Sequence, residues 1–277
     1  QEKVNGVAHL LEHMAFKGTA NRTALDIAKE VENVGGAVNA YTSREVTAYY
    51  MKVLKEDIGL SVDIISDILQ NSTFDAKELD RERGVILQEI GMYLDNPDAV
   101  VSDKFEEVAY PDQPMGRSIL GKSEIIKSIS RDQVEGFMKS FYRPDRMVFS
   151  VSGNFQENLV LDLVEKHFDN LPNGQDEHSP KASYKGGEFR QAKDLEQVNI
   201  ILGFESVDFY SDLYYPTAVY STVLGSGMSS RLFQEIREKR GLVYSVASYN
   251  SPYSDSGLFE VYAGTGQKEV KELKSLI

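Results

Sequence analysis

The segment from Gly6 to Phe16 most constrains the fold, because it combines an apolar helical pattern with two imidazoles and a carboxylate. His9 and His13 are four residues apart, so both rings project from one helix face about one turn from each other. This spacing lets a helix present two nitrogen ligands to one tetrahedral metal ion. Glu12, beside His13, can then take a proton from water on that metal, the general-base role in metal-assisted hydrolysis.

An ordinary helix without a metal is the alternative interpretation, because five-residue patterns also occur by chance. The apolar flanks indicate a largely buried helix rather than a surface one; they are Val7, Ala8, Leu10, Leu11, Met14 and Phe16. Polar groups on a buried helix need partners, since each unpaired group costs roughly 2–7 kcal/mol to desolvate. The chain has 4 histidines and two of them lie here, which favours the metal hypothesis.

The composition excludes several classes of site and partner. The chain has no cysteine, so a metal must be held by histidine and carboxylate side chains. The net charge of −13 argues against a nucleic-acid backbone as partner, and an acidic cleft would favour basic peptides. No apolar run approaches the roughly 18–20 residues of a membrane span. We therefore expect no nucleic-acid partner and no membrane partner.

The pattern along the chain predicts an α+β protein. Helices are predicted at 23–31, 57–69, 75–94, 132–141, 159–168, 215–224, 230–239 and from 267 onwards, because apolar residues recur there with a helical period. A β-hairpin is predicted at 37–52, and single strands at 147–153, 197–204, 242–249 and 257–263, where β-branched and aromatic residues alternate or cluster.

A weak internal repeat predicts two similar domains. A helix, glycines, a strand pair and an amphipathic helix follow one another in each half, but only the first half carries the histidine motif. We predict an N-terminal domain at 1–172, a linker at 173–186 and a homologous domain at 187–277. The chain of 277 residues begins at Gln1 without a methionine, and we expect it to be truncated at both ends.

The helix predicted at 75–94 carries a second candidate group of carboxylates. Glu82 and Glu89 are seven positions apart, which places them two turns apart on one helix face. Val85, Ile86 and Ile90 lie near the same face, so Glu89 is predicted to be flanked by core residues and to need a cation. A surface row of salt bridges is the alternative, and it suits Glu78, Asp80 and Arg81 better than Glu89.

Four separated segments together resemble the family of pitrilysin, insulysin and the mitochondrial processing peptidase, metallopeptidases with an inverted zinc motif. The chain is most similar to the bacterial processing-peptidase-like members. The resembling parts are 5–14, 35–42, the pair Glu82 and Glu89, and 232–244. The resemblance implies two α+β domains, each a mostly antiparallel sheet packed against helices, which face each other across a chamber.

The resemblance also implies roles for individual residues. Zn²⁺ would be held by His9, His13 and Glu89, with Glu12 as the general base and Glu82 as an outer carboxylate that orients a ligand. A peptide substrate would add as a strand beside Asn39, Ala40 and Tyr41. Arg237 and Tyr244 of the second domain would donate hydrogen bonds to the scissile carbonyl or to the oxyanion that develops from it.

The function implied is that of a zinc-dependent endopeptidase acting on peptides or presequence-like segments. By the same resemblance we expect a homodimer in the bacterial cytoplasm. The main alternative is a non-catalytic subunit of the same family that binds peptides or acts as a scaffold. A purely structural zinc is a further alternative, but such sites tend to use four protein ligands, and the sequence offers no fourth.

Overall fold

A computed structural model describes residues 2–169, 171 and 180–277 of the chain. It divides into two compact units. The first comprises the described residues up to Ile90 and those from Ser118 to 171, and the second comprises Gly91–Arg117 and the described residues from 180 to Ile277. The predicted boundary at 172 falls on a residue outside the described part, and the predicted domains and linker stay a prediction. The sequence did not indicate that residues 91–117 group with the second unit.

The first unit is mainly helical. Its helices are α1 (Val7–Ala15), α2 (Ala24–Asn33), α3 (Ile58–Gln70), most of α4 (Ala76–Leu94), α6 (Ser123–Ser128), α7 (Arg131–Phe141) and α8 (Glu157–His167). The remaining helix in this part of the chain, α5 (Pro97–Ala109), belongs to the second unit. The core forms around α1, because Leu10, Leu11 and Met14 are fully buried. Apart from the short helix α6, which the sequence pattern did not predict, these helices confirm the pattern to within a few residues.

The hairpin of the first unit is also as predicted. Strand β1 (Ala37–Thr42) pairs antiparallel with β2 (Thr47–Lys52), and the register runs from Ala37 opposite Lys52 to Thr42 opposite Thr47. Among the described residues β1 pairs with no other strand. Helix α1 packs against both strands and against α7, so the hairpin lies beside the histidine motif.

The strand predicted at 147–153 is wrong. The described structure assigns no strand there, and Val148 is 94% exposed. An alternating apolar pattern forms a strand only where a neighbouring strand accepts its backbone hydrogen bonds. No segment among the described residues pairs with 147–153, so the pattern does not become a strand.

The second unit is built on a three-stranded antiparallel sheet. Its strands are β3 (Val198–Glu205), β4 (Val243–Pro252) and β5 (Gly257–Thr265), in the order β3-β5-β4. The central strand β5 is almost fully buried, and Val246, Val261 and Leu273 belong to one apolar cluster. Helices α9 (Tyr214–Gly225) and α10 (Val270–Leu276) complete this unit, and the α+β class with antiparallel sheets is confirmed.

The helix predicted at 230–239 has a different geometry from that expected. Residues Phe233–Glu238 form a π-helix, in which backbone hydrogen bonds join residues five apart, a rare arrangement that recurs at functional sites. Side-chain periodicity does not distinguish an α-helix from a single π-helical stretch.

Among the described residues, no helix has the length and apolar character needed to span a membrane.

Two glycines fix the start of α1 against the loop that precedes α6. Gly6 has φ +92°, a conformation that residues with a Cβ rarely adopt, and a Cβ added there would lie 2.7 Å from the carbonyl oxygen of Leu120. A Cβ on Gly121 would collide in turn with the carbonyl oxygen of Asn5. The two backbone segments are therefore in contact, and this contact fixes the position of the first turn of the histidine helix relative to the loop before α6.

Candidate metal centre

Helix α1 brings two imidazoles together on one buried face. The ring centroids of His9 and His13 are 4.7 Å apart, as expected for residues four apart on a helix. His9 is 8% exposed and lies among the core residues of α1. Because the helix is held by its apolar neighbours, the backbone positions of both histidines are fixed before any ligand binds.

Glu89 on α4 completes a group of three potential ligands. Its Oε2 lies 3.6 Å from Nε2 of His9 and 3.8 Å from Nε2 of His13. One ligand atom from each residue lies within 4.8 Å of the others. A tetrahedral zinc ion with bonds of about 2.0–2.1 Å needs ligand atoms about 3.3–3.4 Å apart. The three side chains therefore fit a zinc site with three protein ligands and one open position.

Glu89 is more open than the sequence indicated. Its side chain is 42% exposed. Ile86 and Ile90 are buried as predicted, but Val85 is 45% exposed, so the expectation that Val85 flanks Glu89 as a core residue is wrong. The helix turns Val85 towards solvent because it lies four positions before Glu89, beside the open side of the site.

Electrostatics keep His9 in the form that binds a metal. Burial, and secondarily the neighbouring His13, lower the pKa of His9 to about 4, so its imidazole is neutral at neutral pH. Burial also raises the pKa of Glu89; His13 opposes this effect and Glu12 adds to it. Neutral imidazoles and a carboxylate are the oxygen and nitrogen donors that zinc accepts.

Glu82 lies behind His13. Its side chain is 6% exposed, and its Oε2 is 2.9 Å from Nδ1 of His13. The Nζ of Lys17 is 2.8 Å from the other oxygen, Oε1. Burial acts to raise the pKa of Glu82, but the hydrogen bonds from Lys17 and His13 outweigh it and hold this pKa below the usual value. The sequence analysis named Glu82 and did not find Lys17.

Glu12 is held by a residue that the sequence analysis also missed. The hydroxyl of Thr42 donates a hydrogen bond to Oε2 of Glu12, and the hydroxyl of Thr47 lies 3.4 Å from that of Thr42. Thr42 is the last residue of β1. Strand alternation is the one feature of the sequence that could have indicated Thr42, because Thr42 lies on the same strand face as the half-buried Ala40.

The residues predicted to bind substrate lie along β1. Asn39 faces Tyr50 across the hairpin, and Ala40 faces Tyr49. Tyr41 is 53% exposed, and Oδ1 of Asn39 accepts a hydrogen bond of 2.8 Å from the backbone N–H of Ala40. One edge of β1 is unpaired among the described residues, which is the arrangement that strand addition requires.

Arg237 and Tyr244 lie together in the second unit. The guanidinium of Arg237, in the π-helix, is 4.6 Å from the ring centroid of Phe233 and 5.4 Å from that of Tyr244. Tyr244 is the second residue of β4, directly after Val243, and is 77% exposed. The structure thus brings these two side chains into contact with each other, and their predicted role towards a substrate stays a prediction.

Two protein-family models match the chain. The model described as "Insulinase (Peptidase family M16)" matches residues 1–123, and the model described as "Peptidase M16 inactive domain" matches residues 128–277. The three potential metal ligands, Glu12 and Glu82 all fall within the first match. Arg237 and Tyr244 fall within the second.

Similar proteins cover nearly the whole chain. A protein of Rickettsia bellii named "uncharacterized zinc protease" is 45% identical over 269 residues, which are 97% of this chain and 65% of that protein. One of Bacillus subtilis with the same designation is 40% identical over 276 residues, 99% of this chain and 67% of that protein. The crystal structure of a protease from Helicobacter pylori has a TM-score of 0.90 at 25% identity, covering 99% of this chain and 69% of that one. The chain spans about two thirds of the length of these relatives.

Proposed function

This chain belongs to peptidase family M16, the insulinase family, and on that basis we propose that it is a zinc-dependent endopeptidase that hydrolyses peptides or presequence-like segments. The observation that carries the proposal is the convergence of His9, His13 and Glu89, with Nε2 and Oε2 atoms 3.6–3.8 Å apart. The relatives named zinc proteases support the choice of metal.

His9, His13 and Glu89 would hold the zinc ion in this proposal. When bound, zinc supplies Lewis-acid chemistry and lowers the pKa of a coordinated water to about 7. Glu12 accepts a proton from the attacking water and returns it to the leaving amine. The hydroxyl of Thr42 orients the carboxylate of Glu12 for this role through a hydrogen bond. Glu82 orients the ring of His13.

The peptide would bind as an added strand along the open edge of β1, beside Asn39, Ala40 and Tyr41. Strand addition gains its affinity from main-chain hydrogen bonds, so the enzyme would accept many sequences. Arg237 and Tyr244 would donate hydrogen bonds to the scissile carbonyl or its oxyanion. That role rests on the family resemblance, and a homodimer in the bacterial cytoplasm remains part of the proposal on the same basis.

A non-catalytic, peptide-binding subunit is the second candidate function. The description of the match at 128–277 as an inactive domain favours it. Against it, the residues proposed for zinc and for the base all lie in the other match, at 1–123. Non-catalytic relatives are expected to lack a ligand or the base, whereas this chain carries His9, His13, Glu89 and Glu12.

The deciding experiment combines zinc analysis with peptide cleavage. We expect about one zinc per chain, chelator-sensitive cleavage of a quenched basic peptide, and a loss of roughly 10²–10⁴-fold in kcat for Glu12→Gln, because a general base contributes that much. Zinc content should stay unchanged in this variant. Exposed Glu32 on α2 provides the control Glu32→Gln, which should cleave normally. One zinc without cleavage of any peptide would favour the non-catalytic subunit.

A further inference from the structure

We propose that Lys17 is a positioning residue for His13 and that it acts through the carboxylate of Glu82. The inference rests on the proposed function, because it assigns Lys17 to the zinc site, and it adds a residue to which neither the sequence motif nor the relatives' names point. Lys17 would hold the outer carboxylate in one orientation, and this carboxylate would hold the imidazole of His13.

The backbone of Lys17 is fixed relative to the histidine helix. α1 ends at Ala15, and the N–H of Lys17 donates a hydrogen bond of 3.1 Å to the carbonyl of Met14. Its side chain is 32% exposed and its Nζ reaches Glu82 on α4. Lys17, which follows the end of α1, therefore forms an ion pair with α4, the helix that also carries Glu89.

Each oxygen of Glu82 has its own partner. Oε1 lies 2.8 Å from the Nζ of Lys17, and Oε2 lies 2.9 Å from Nδ1 of His13. The Glu82 side chain is 6% exposed, so little water is present to replace a lost partner. A partly buried pair of this kind depends more on its cation than a surface ion pair does.

The contact with Glu82 selects the tautomer of His13. When Nδ1 carries the proton and donates it to Oε2 of Glu82, the lone pair remains on Nε2, the atom that faces Glu89 at 3.8 Å. Outer carboxylates fix the tautomer and orientation of metal-binding histidines in this way. Without Lys17, Glu82 would lose the contact that fixes its orientation, and His13 would be less firmly held.

His9 provides an internal comparison. Its Nδ1 is buried and has no hydrogen-bond partner among the described residues, so no outer carboxylate orients this ring. Loss of Lys17 should therefore change His13 much more than His9. A general loosening of the protein would instead affect both rings, which lie on the same helix.

The experiment compares Lys17→Met with the unmodified protein. Lys17→Met keeps the unbranched side chain up to the position of Cε and removes the charged amino group. We expect zinc affinity, measured by chelator competition, to fall by about 10-fold or more, since loss of an outer partner typically costs about 10–100-fold. In the metal-free protein, nitrogen NMR should show a smaller Nδ1–H population for His13 and a much smaller change for His9. Lys17→Arg should restore both measurements.

Two controls separate this role from a general structural one. Lys139→Met removes an exposed lysine that pairs with Glu135 on α7, and it should leave zinc affinity unchanged. In a Glu82→Ala background, Lys17→Met should cause no additional loss, because its route to His13 is already absent. Thermal unfolding identifies variants that fail to fold, and Lys17→Gln and Glu82→Gln replace them in that case.

The outcomes distinguish this inference from the proposed function. Zinc affinity in Lys17→Met equal to that of the unmodified protein would overturn the inference, as would an equal additional loss in the Glu82→Ala background. If the unmodified protein binds no zinc, the proposed function fails, but the tautomer measurement still decides the role of Lys17. An unchanged His13 spectrum in Lys17→Met would then overturn it.

Discussion

At the residue scale, the hydrogen bond from Thr42 to Glu12 links the proposed base to the strand proposed to receive the peptide. A general base must lie within hydrogen-bond reach of the proton that it takes. Because Thr42 ends β1, a peptide that orders this strand would also order the carboxylate of Glu12. The orientation of the proposed base is therefore coupled to the position of the strand proposed to bind substrate.

Replacement of Thr42 by valine tests this link, because valine keeps the shape and removes the hydroxyl. We expect kcat to fall by roughly tenfold or more, since a hydrogen bond to a charged group is worth about 1.5–3 kcal/mol. KM and zinc content should stay unchanged, and Thr42→Ser should recover most of the rate. A Thr42→Val enzyme with normal kcat would show that Glu12 needs no such support.

Sequence proximity explains which site residues could be predicted. The spacing of His9 and His13 follows from helix geometry alone, and so does their buried setting. Glu89 needed the family resemblance, because no local pattern says which distant carboxylate completes the group. Thr42 and Glu12 are 30 positions apart, and only the folded chain shows that they touch.

At the element scale, buried Asp67 on α3 ties the loop after α1 to the helical core. Asp67 is 3% exposed. It accepts hydrogen bonds from the side chains of Thr19, Asn21, Asn71 and Arg22 at 2.7–2.9 Å. Burial acts to raise the pKa of Asp67, but these hydrogen bonds outweigh it and hold the pKa below its usual value.

The stability contributed by Asp67 should therefore depend on pH. A lowered folded-state pKa stabilises the protein above the unfolded pKa of about 3.9, and this contribution is lost as the pH falls through the folded value. We expect Asp67→Asn to lower the free energy of unfolding by about 3 kcal/mol at neutral pH. The difference from the unmodified protein should shrink below about pH 4.

Urea unfolding across this pH range provides the measurement. Asp80→Asn is a matched control on α4, because the Asp80 side chain is 74% exposed and pairs only with nearby Arg83 among the described contacts. This control should change stability by no more than about 0.5 kcal/mol. A difference for Asp67→Asn that stays constant down to pH 2 would contradict the assignment.

Most elements could be predicted. The short helix α6 was missed, and two further failures have physical causes. Helices such as α2 carry local signals, including the capping box formed by Thr23 and Asp26, so their ends follow from nearby residues. A strand depends on a distant partner, and residues 147–153 have none among the described residues. The π-helix Phe233–Glu238 depends on backbone hydrogen bonding, which side-chain periodicity does not report.

At the scale of the whole molecule, the net charge of −13 predicts that the proposed enzyme would prefer cationic peptides. A field of this sign raises the rate at which basic substrates arrive, and salt weakens it. We expect kcat/KM for a lysine-rich peptide to fall as ionic strength rises from about 0.01 M to 1 M, where the Debye length shrinks from about 30 Å to 3 Å. An uncharged peptide of equal length is the control, and equal salt dependence for both would exclude steering by charge.

The division of the whole chain was less accessible to sequence analysis than its elements were. The repeat predicted domains at 1–172 and 187–277 with a linker at 173–186, and these bounds stay a prediction. It gave no indication that helix α5 and the residues beside it group with the second unit. Compact units depend on contacts between distant segments, such as the hydrogen bond of 2.7 Å from Tyr262 to Asp98. No local sequence pattern encodes such a contact. The contacts of the proposed dimer cannot be predicted from local sequence patterns either.

The contact between Gly6 and Gly121 has a consequence for how this protein can vary. Neither glycine carries a side chain that could bind a substrate or a metal ion, yet any side chain at either position would strike the opposite backbone. A library of all single substitutions, scored for peptide cleavage, should therefore tolerate change at these two codons as poorly as at the histidine codons. Such intolerance would come from steric exclusion rather than from chemistry, and invariance in a screen would not by itself identify an active-site residue.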